Sequence, residues 1–348
     1  MGSIVQRTEK TVKIAYITEQ KLHSDKINGS ITRDLKLISV LKRITDRVDI
    51  YFADTSLHHK YKYLIKNKNS LYVISEINKH NYDAAIISTF PISPYLQTYC
   101  QIQCRKIFYF CDSAYNMHKN TPLYDFIHKI TTSIFVVKES AIIKNYLCVY
   151  LGIDEIESLP PKFRKHSVVF PFFTGVQQSN HFDPSGFVLF LGEFNYWPNR
   201  EAFKRIVKLA PRIKSTIRIF GMNIPSIKYF PINVEICGYA KKLDDIYSGA
   251  KALIYPALSG TGIKNKVIEA MSYGIPVIGF KNAFTNMNVE HNKNCIVVKS
   301  IKELVESLNR EDLNEISRNA YRFIKNEMTE ERSLKIIKKI IFEEDRID

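Results

Sequence analysis

The chain has 348 residues, of which 45% are hydrophobic and 24% are charged, and this balance excludes a disordered protein. The formal net charge of +15 at pH 7 favours an anionic partner, such as a nucleotide, a nucleic acid or an acidic lipid surface. The length predicts two domains, each with its own core.

Six cysteines are scattered through the chain without a CxxC pair, and the sequence shows no secretory leader pattern. We therefore expect free thiols in a reducing cytoplasm and no metal site. No apolar run reaches the roughly 18 to 20 residues that a membrane-spanning helix requires. Any contact with a membrane is expected to be peripheral.

The first half alternates predicted strands with predicted helices. The apolar run "TVKIAYIT" is followed by a loop that contains Gly29 and by a helix that carries Leu35, Ile38 and Leu41. Such alternation is typical of a parallel sheet that helices cover on both faces. Further strands are predicted at "RVDIYFA", "YDAAIIS", "RKIFYF", "SIFVV" and "HSVVFP", and helices at "SPYLQTYCQIQC" and "ESAIIKNYLCVYL".

The polar segment "GVQQSNHFDPSG" interrupts this pattern and is predicted to link two domains. Behind it, the predicted strands "FVLFLG", "IRIFG" and "VEICG" end on Gly192, Gly221 and Gly238, and "ALIYP" follows them. Ligands of parallel sheets bind beyond the carboxyl ends of strands, where glycine lets the backbone approach them. Each glycine alone would serve a tight turn equally well, but together they outline one ligand site. The final stretch from "NEISRNAYRF" onward is predicted to be helical.

The stretch "SGTGIKNKVIEAMSYGIPVIGF", residues 259–280, follows the last of these strands. A helix that begins after Gly260, Thr261 and Gly262 offers backbone N–H groups and the positive end of its dipole to a phosphate. Gly274 is placed to end this helix, because glycine is the usual residue just after a helix. The stretch therefore predicts a phosphate-binding loop and helix.

Charged residues lie within the first two turns of that helix. Lys264 and Lys266 add positive charge beside the loop, and Glu269 is spaced to share a helix face with Gly262 and Lys266. A carboxylate there can accept hydrogen bonds from sugar hydroxyls next to the phosphates. The combination predicts a nucleoside diphosphate whose ribose meets Glu269, although the spacing fits an exposed Lys266–Glu269 ion pair equally well.

This stretch resembles the donor-site motif of the retaining glycosyltransferases of family four. In that family a strand ends at a proline, a glycine loop leads to a Glu-Ala-Met helix, and a Gly-x-Pro-Val turn follows. Here those parts are Pro256, "GTGIKNKVIEAM" and "GIPV". "FVLFLGEFNYWPNREAFKRIV" and "VEICGYAKKLDDIYSGAKALIYP" are similar to further parts of the donor domain. The first domain matches more weakly, through the loop with Gly29 and through "FYFCDSAYN".

The resemblance implies the α/β fold called GT-B, in which two Rossmann-like domains with parallel sheets face each other across a cleft. Residues 1–175 would form the acceptor-binding domain and residues 176–325 the domain that binds the nucleotide-sugar donor. Residues 326–348 would form a helical segment that packs back on the first domain.

The activity that the resemblance implies is a hexosyl transfer from a nucleoside-diphosphate sugar to a glycan, with retention of configuration. The acceptor is expected to be a lipid-linked oligosaccharide in the assembly of a cell-surface polysaccharide such as lipopolysaccharide. No cofactor, metal or nucleic acid is expected to take part. The location is expected to be cytoplasmic, and peripheral at the inner face of the plasma membrane.

The resemblance also implies roles for individual residues. Glu269 matches the carboxylate that binds the donor ribose, and Lys264 and Lys266 lie where the diphosphate is met. Gly192 matches the glycine under the phosphates, and Gly238 with Tyr239 falls in the segment that touches the nucleobase. The expected donor-binding set is completed by Gly29, Gly260, Thr261, Gly262, Ile263 and Asn265.

Asp112 lies near the position where the family often has a histidine close to the reacting carbon. It is expected to contact the acceptor or the developing positive sugar, and with Lys266 and Glu269 it forms the expected catalytic set. An aspartate at such a position fits an N-cap or a turn equally well.

The sequence departs from the family pattern at two places. Many members have two glutamates eight positions apart, and the first of them falls at Thr261, whose hydroxyl or nearby amides must then contact the sugar. The loop 193–198 also lacks the usual arginine and lysine. Lys264 and Lys266 would therefore neutralise the diphosphate largely by themselves.

Three other functions fit parts of the sequence. A sugar-nucleotide epimerase would share the fold but needs a set of carboxylate and histidine side chains around the sugar. A nucleotide-sugar-binding protein without catalysis fits the absence of a glutamate at Thr261, and a nucleic-acid-binding protein fits the positive charge. The basic, aromatic stretch "HHKYKYLIKNKN", residues 58–69, is expected either to dock on an anionic membrane or to form a solvated helix.

Overall fold

The computed structural model divides the chain into two compact units. Unit 1 comprises Met1–Phe170 and Ser333–Asp348, and unit 2 comprises Pro171–Arg332. The sequence placed the first boundary slightly later, between residues 175 and 176. The structure describes residues 12–22, 29–53, 68–91, 93, 95–110, 112–121, 126–170, 172–175, 180–260 and 262–342.

Unit 1 is built on a parallel sheet of six strands in the order β2-β1-β3-β4-β5-β6. All six residues of β3 are buried, as expected for a central strand that helices cover on both faces. The strands are β1 Lys13–Thr18, β2 Arg47–Phe52, β3 Ala84–Thr89, β4 Arg105–Phe110, β5 Leu147–Tyr150 and β6 Ser167–Val169. The helices are α1 Gly29–Lys42, α2 Lys68–Asn78, α3 Ala114–Asn120, α4 Phe126–Ile143, α5 Ile153–Glu157 and α6 Pro161–Arg164.

Unit 2 repeats this plan with a parallel sheet in the order β12-β11-β10-β7-β8-β9. Its strands are β7 Phe187–Glu193, β8 Ile217–Met222, β9 Val234–Gly238, β10 Ala250–Tyr255, β11 Val277–Gly279 and β12 Ile296–Val297. Its helices are α7 Trp197–Leu209, α8 Leu243–Tyr247, α9 Asn265–Ser272, α10 Ile301–Ser307 and α11 Leu313–Glu327. The predicted alternation of strands and helices is therefore confirmed in both units.

The last helix, α12, spans Glu330–Phe342, and from Ser333 onward it belongs to unit 1. Ile337, Ile340 and Ile341 are buried. The carbonyl oxygen of Ile341 accepts a hydrogen bond of 3.2 Å from Nη1 of Arg105, at the start of β4. The chain thus returns to its first sheet after completing the second.

The predicted elements between β3 and β6 were partly wrong. "SIFVV" lies inside helix α4, and the predicted helix "ESAIIKNYLCVYL" contains the strand β5, which pairs with β4 through Ile107 and Leu147. Among the described residues of "SPYLQTYCQIQC", the predicted helix is replaced by a short 3₁₀ turn at Thr98–Gln101. Short apolar runs carry no periodicity that separates a strand from a buried helix, so tertiary pairing decided these segments.

Each sheet has one position where the direction of strand addition reverses. In unit 1 it lies between β1 and β3, and in unit 2 between β7 and β10. The loops that leave the two strands there diverge to opposite faces, which opens a crevice at the carboxyl ends of the strands. The strand order of the second sheet is that of dinucleotide-binding folds. A ligand is therefore expected to bind in the crevice beyond β7 and β10.

Two sequence-based expectations concern the described residues as a whole. Within the described ranges, no helix is long and apolar enough to span a bilayer. The described cysteines, Cys100, Cys104, Cys148, Cys237 and Cys295, are free thiols, as predicted.

Candidate functional site

Gly192 lies next to the end of β7, at the crevice of the second sheet. A Cβ atom at this position would lie 2.8 Å from Cγ and Nδ2 of Asn199, so a side chain does not fit. Gly221 faces it on β8 with a φ of +137°, and a Cβ there would lie 1.8 Å from the carbonyl oxygen of Gly192. Both glycines therefore permit close packing of backbone around the strand end.

The loop after β10 leads into α9 through two glycines. Gly260 and Gly262 have φ values of +112° and +70°, which L-residues rarely adopt. The predicted contact residue Thr261, between them, lies outside the described residues. Ile263 follows the loop, and its side chain is partly buried. The conformation of the loop thus depends on glycine on both sides of Thr261.

Helix α9 begins at Asn265, one residue after Lys264. The first N–H group to donate within the helix is that of Val267, which bonds to the carbonyl oxygen of Lys264 at 2.8 Å. As at any helix start, the N–H groups of Asn265 and Lys266 have no acceptor inside the helix. The dipole of the helix adds partial positive charge at this end. The helix start at which the sequence predicts anion binding therefore lies at the crevice.

Lys264 is almost fully buried, with 7% of its surface exposed. Its Nζ donates a hydrogen bond of 2.6 Å to the carbonyl oxygen of Gly262. The lysine therefore holds the glycine loop through this hydrogen bond, and its positive charge stays next to the start of the helix.

Lys266 reaches out of α9 toward the end of β7. Its Nζ donates to the carbonyl oxygen of Leu191 at 2.7 Å and to Oδ1 of Asn199 at 2.9 Å. The ammonium also lies 4.8 Å from the ring centroid of Tyr255. Burial, reinforced by the charge of Lys264, lowers the pKa of Lys266 to about 7. A fraction of Lys266 is therefore neutral at neutral pH, and its Nζ donates hydrogen bonds to other groups of the protein.

Glu269 lies one turn further along α9 and is held by a tyrosine. Tyr247, at the end of α8, donates a hydrogen bond of 2.9 Å to Oε2 of Glu269. Burial, reinforced by the Glu269 carboxylate, raises the pKa of Tyr247 well above its usual value, so the phenol keeps its proton and remains a donor. This arrangement differs from the exposed Lys266–Glu269 pair that the spacing also allowed.

Gly238 and Tyr239 lie at the end of β9, which is separated from β7 by β8. Two strand spacings put this segment roughly 10 Å from Gly192. Gly238 has a φ of +72°, and 45% of the Tyr239 surface is exposed. The exposed ring offers a flat apolar surface, of the kind on which a nucleobase stacks.

The remaining predicted residues belong to unit 1. Asp112 follows β4 directly, but the N-cap of α3 is Ser113, whose Oγ accepts a hydrogen bond of 3.1 Å from the N–H of Tyr115. The interpretation of Asp112 as an N-cap was therefore wrong. Gly29 opens α1, and the residues just before it are outside the described ranges.

Two buried carboxylates hold the segment that follows Asp112. Glu155 accepts from the N–H of Ser113 at 2.8 Å, and Glu139 accepts from the N–H of Ala114 at 2.8 Å. Tyr150 donates to the second oxygen of Glu139 at 2.6 Å. Burial raises the pKa of Glu139 to about 7. Composition and spacing gave no signal for this pair, because both glutamates come from distant elements.

The structure brings most of the predicted donor residues together at the β7–β10 crevice, namely Gly192, Gly260, Gly262, Lys264, Asn265, Lys266 and Glu269. It adds Asn199 and Tyr247, which sequence reasoning missed. Asn199 belongs to "FVLFLGEFNYWPNREAFKRIV", which is similar to part of the donor domain, but its partner Lys266 is distant in the sequence. Within the described part of the chain, no group of three or more His, Cys, Asp or Glu side chains is placed to hold a metal ion.

Comparison with known proteins gives matches at the level of domain and fold. Residues 186–310 match the family model described as "Glycosyl transferases group 1". No curated protein sequence gives a significant match. The matched residues include the crevice between β7 and β10 with its glycine loop, α9 and Glu269.

Several solved structures share the fold of the whole chain at low sequence identity. Sucrose-phosphate synthase from Thermosynechococcus elongatus is 14% identical, with a TM-score of 0.73 over 94% of this chain and 98% of that chain. Alr3699/HepE from Anabaena, in complex with UDP-glucose, is 14% identical, with a TM-score of 0.66 over 94% and 99%. WaaG, a glycosyltransferase involved in lipopolysaccharide biosynthesis, is 11% identical, with a TM-score of 0.65 over 95% and 100%.

A match to the larger protein TarM covers 80% of this chain but only 59% of that one. Unit 2 therefore contains the residues that match the glycosyl transferases group 1 model, and the chain as a whole has the two-domain GT-B fold.

Proposed function

We propose that this protein is a glycosyltransferase that moves a sugar from a nucleoside-diphosphate donor to a glycan. The observation that carries the proposal is the arrangement at the β7–β10 crevice of unit 2. There the start of α9, the glycine at the end of β7 and the Glu269 carboxylate meet at the switch point of a dinucleotide-type sheet.

The start of α9 supplies what the leaving diphosphate requires. The N–H groups of Asn265 and Lys266 and the helix dipole stabilise negative charge, and the Lys264 and Lys266 side chains add positive charge beside them. Gly192 lets the backbone approach the phosphates where a side chain would obstruct them. These groups can stabilise the departing diphosphate while the anomeric carbon takes on positive charge.

Glu269 is placed to select the nucleoside part of the donor. Because Tyr247 donates to one of its oxygens, the carboxylate is held in one orientation. A held carboxylate can accept charge-assisted hydrogen bonds from two neighbouring ribose hydroxyls. This role accounts for a carboxylate so near a phosphate site, where negative charge alone would weaken binding.

The finer proposal is a hexosyl transfer that proceeds with retention and without a metal ion. Asp112 of unit 1 is proposed to contact the acceptor or the positive sugar, and Tyr239 to stack on the nucleobase. The acceptor is proposed to be a lipid-linked oligosaccharide of a cell-surface polysaccharide. The similarity to WaaG, whose description names lipopolysaccharide biosynthesis, supports this choice of acceptor class.

A peripheral position at an anionic membrane is part of the same proposal. The sequence placed membrane docking, or a solvated helix, on residues 58–69. Of these, residues 58–67 lie outside the described residues, and α2 begins at Lys68. Another feature of unit 1 supports a peripheral position: helix α4 exposes a stripe of large apolar side chains and also carries Lys129 and Lys138. Flotation with vesicles that contain anionic lipid tests this point. The exposed members of the stripe are Phe126, Ile127, Ile130, Ile134 and Val137.

The decisive experiment is a panel of nucleotide sugars and nucleoside diphosphates, tested by thermal shift and for slow hydrolysis of the donor. A transferase is expected to be stabilised by one nucleoside diphosphate and to hydrolyse the matching sugar nucleotide slowly. Binding without hydrolysis would favour a non-catalytic binding protein, and a change at a sugar carbon would favour an epimerase. Salt-sensitive binding of oligonucleotides with no response to the panel would favour a nucleic-acid-binding protein.

A further inference from the structure

The backbone on both sides of Gly192 is held by side chains from other elements. Lys266 of α9 donates to the carbonyl oxygen of Leu191 at 2.7 Å. Asn199 of α7 donates through Nδ2 to the carbonyl oxygen of Glu193 at 2.8 Å. The two side chains also bond to each other, since Lys266 Nζ donates to Asn199 Oδ1 at 2.9 Å. Together they form a clasp around one glycine.

The clasp lies where β7 is still paired with β8 but no longer with β10. The pairing of β7 with β10 ends at Leu189, two residues before Leu191, whereas β7 itself continues to Glu193. A carbonyl beyond the last paired residue has lost its partner on that side of the sheet. Lys266 supplies a donor to the Leu191 carbonyl on that side.

Asn199 has only one orientation that satisfies its neighbours. Its oxygen must face the Lys266 ammonium, and its nitrogen must face the Glu193 carbonyl, because reversing the amide would place donor against donor and acceptor against acceptor. The residue is 6% exposed, and its amide fills the space that a side chain at Gly192 would need. It is therefore a fixed part of the site.

The loop after Gly192 is further fastened through Glu193. The Glu193 carboxylate accepts from the N–H groups of Asn195 and Tyr196 at 3.1 and 3.0 Å and from Nδ2 of Asn223 at 2.6 Å. This loop is the one that lacks the arginine and lysine of similar enzymes. The Glu193 carboxylate holds the loop, and the amide of Asn199 holds the backbone carbonyl of Glu193.

We propose that Asn199 is a positioning residue of the donor site, which acts through Lys266 and through the peptides on each side of Gly192. The inference rests on the proposed function and extends it to a residue that is not placed against the ligand. Loss of the Asn199 amide leaves the Lys266 ammonium with one hydrogen-bond acceptor and the Glu193 carbonyl without this donor. The loop 192–196 can then move into the space through which a diphosphate enters.

The test compares Asn199→Ala with a matched variant, Asn233→Ala. Asn233 also holds backbone in unit 2, through bonds of 2.9 and 2.8 Å to the carbonyl oxygens of Ala210 and Ile213, but it precedes β9 and so lies at the opposite end of the sheet. Both variants lose buried hydrogen bonds and some stability. Titration calorimetry with UDP, at a temperature where circular dichroism shows both to be folded, separates positioning from folding.

Asn199→Ala is expected to weaken UDP binding about tenfold or more, and Asn233→Ala less than about twofold. Equal effects of the two substitutions on UDP affinity would overturn the proposal. If UDP does not bind to the wild type, ADP, GDP, CDP and dTDP are tested in the same way.

A second readout is the pH dependence of binding in Asn199→Asp. The substitution keeps an acceptor for Lys266 and adds a negative charge next to it, so the affinity should fall with rising pH at a higher pH than in the wild type. The other titratable groups around the ammonium are Lys264 in the loop, Glu269 on α9, Tyr247 on α8 and Tyr255 on β10, and the variant leaves them in place. An unchanged pH profile would show that Asn199 does not act through Lys266.

Failure of the proposed function is distinguishable from failure of this inference. If the wild type binds none of the five nucleoside diphosphates, the donor assignment is wrong, and amide hydrogen exchange without ligand then decides the structural claim. Residues 192–196 should exchange faster in Asn199→Ala than in the wild type and in Asn233→Ala. Exchange at the wild-type rate would overturn the clasp itself.

Discussion

Tyr247 donates a hydrogen bond of 2.9 Å to Oε2 of Glu269, which joins the end of α8 to the middle of α9. The same hydroxyl lies 3.4 Å from the carbonyl oxygen of Lys266, one turn earlier in α9. Tyr247 also packs against Tyr273, with ring centroids 5.1 Å apart. Glu269 is therefore oriented by the fold of unit 2, which the role proposed for it in binding ribose hydroxyls requires.

Replacing Glu269 should selectively weaken the binding of the nucleoside part of the ligand. In Glu269→Ala, UDP affinity is expected to fall about tenfold to a hundredfold, because charge-assisted hydrogen bonds to the ribose are lost. Affinity for inorganic pyrophosphate should stay within about twofold, because the start of α9 is unchanged. Calorimetry with both ligands measures the difference. Wild-type affinity for UDP in this variant would contradict the ribose assignment.

Tyr247→Phe is the matched control for the orienting bond. The substitution keeps the ring between α8 and α9 and removes only the donor to Glu269. We expect a smaller loss of UDP affinity than in Glu269→Ala, of about threefold to tenfold. A loss as large as that of Glu269→Ala would mean that Tyr247 itself contacts the ligand.

Lys266 should make the free energy of unfolding depend on pH above neutrality. Its pKa is lowered to about 7 in the folded chain, against about 10.4 in an unfolded one. Between these values the unfolded chain holds a proton that the folded chain does not, so stability from this group rises with pH and is lost as pH falls toward 7. Below the folded pKa the contribution stays at its lowest level.

Urea unfolding of the wild type and of Lys266→Met at about pH 7, 8 and 9 checks this dependence. The difference in the free energy of unfolding should change by about 1.4 kcal/mol per pH unit in this window. Taking the difference between the two proteins cancels the contributions of cysteine and tyrosine titration, because both proteins contain the same cysteines and tyrosines. Parallel curves for the two proteins would contradict the lowered pKa.

A methyl group at Gly192 should disturb both stability and binding. In Gly192→Ala the new Cβ would lie 2.8 Å from the Asn199 amide, which the Lys266 and Glu193 bonds hold in place. We expect a loss of about 1 to 3 kcal/mol in the free energy of unfolding, with weaker UDP binding. Gly175→Ala is the control, since a Cβ there meets no atom of the described residues within 4 Å and should change stability by less than about 0.5 kcal/mol. Equal stability losses in the two variants would contradict the packing of Asn199 on Gly192.

Removing the hydroxyl from each of two buried tyrosines on neighbouring strands of unit 1 should change the stability in different directions. The hydroxyl of Tyr109 on β4 is buried and has no hydrogen-bond partner among the described residues, whereas Tyr150 on β5 donates to Glu139 at 2.6 Å. Tyr109→Phe is expected to leave stability unchanged or raise it by up to about 1 kcal/mol, and Tyr150→Phe to lower it by about 1.5 to 3 kcal/mol. Thermal unfolding measures both. Equal losses would reveal a bound water at Tyr109.

The fold could be predicted from the sequence wherever an element has its own pattern. "FVLFLG" and "ALIYP" are strands, as short apolar runs that end at glycine or proline indicate, and the start of α9 follows from its glycines and lysines. "SIFVV" and "LCVY" exchanged their predicted structures, because either run can be a strand or a buried helix until it finds a partner. The contacts of Lys266 with Asn199 and of Glu269 with Tyr247 could not be predicted. They depend on β7 and β10 being neighbours, which the order of strands in the sequence does not determine.

The most direct test of the central claim is calorimetric titration of the wild type and of Glu269→Ala with UDP, ADP, GDP, CDP and dTDP. The account predicts that at least one of these binds the wild type with a dissociation constant in the micromolar to low millimolar range, and at least about tenfold more weakly to the variant. Absence of binding by all five to the folded wild type would contradict a nucleotide-sugar site at the β7–β10 crevice.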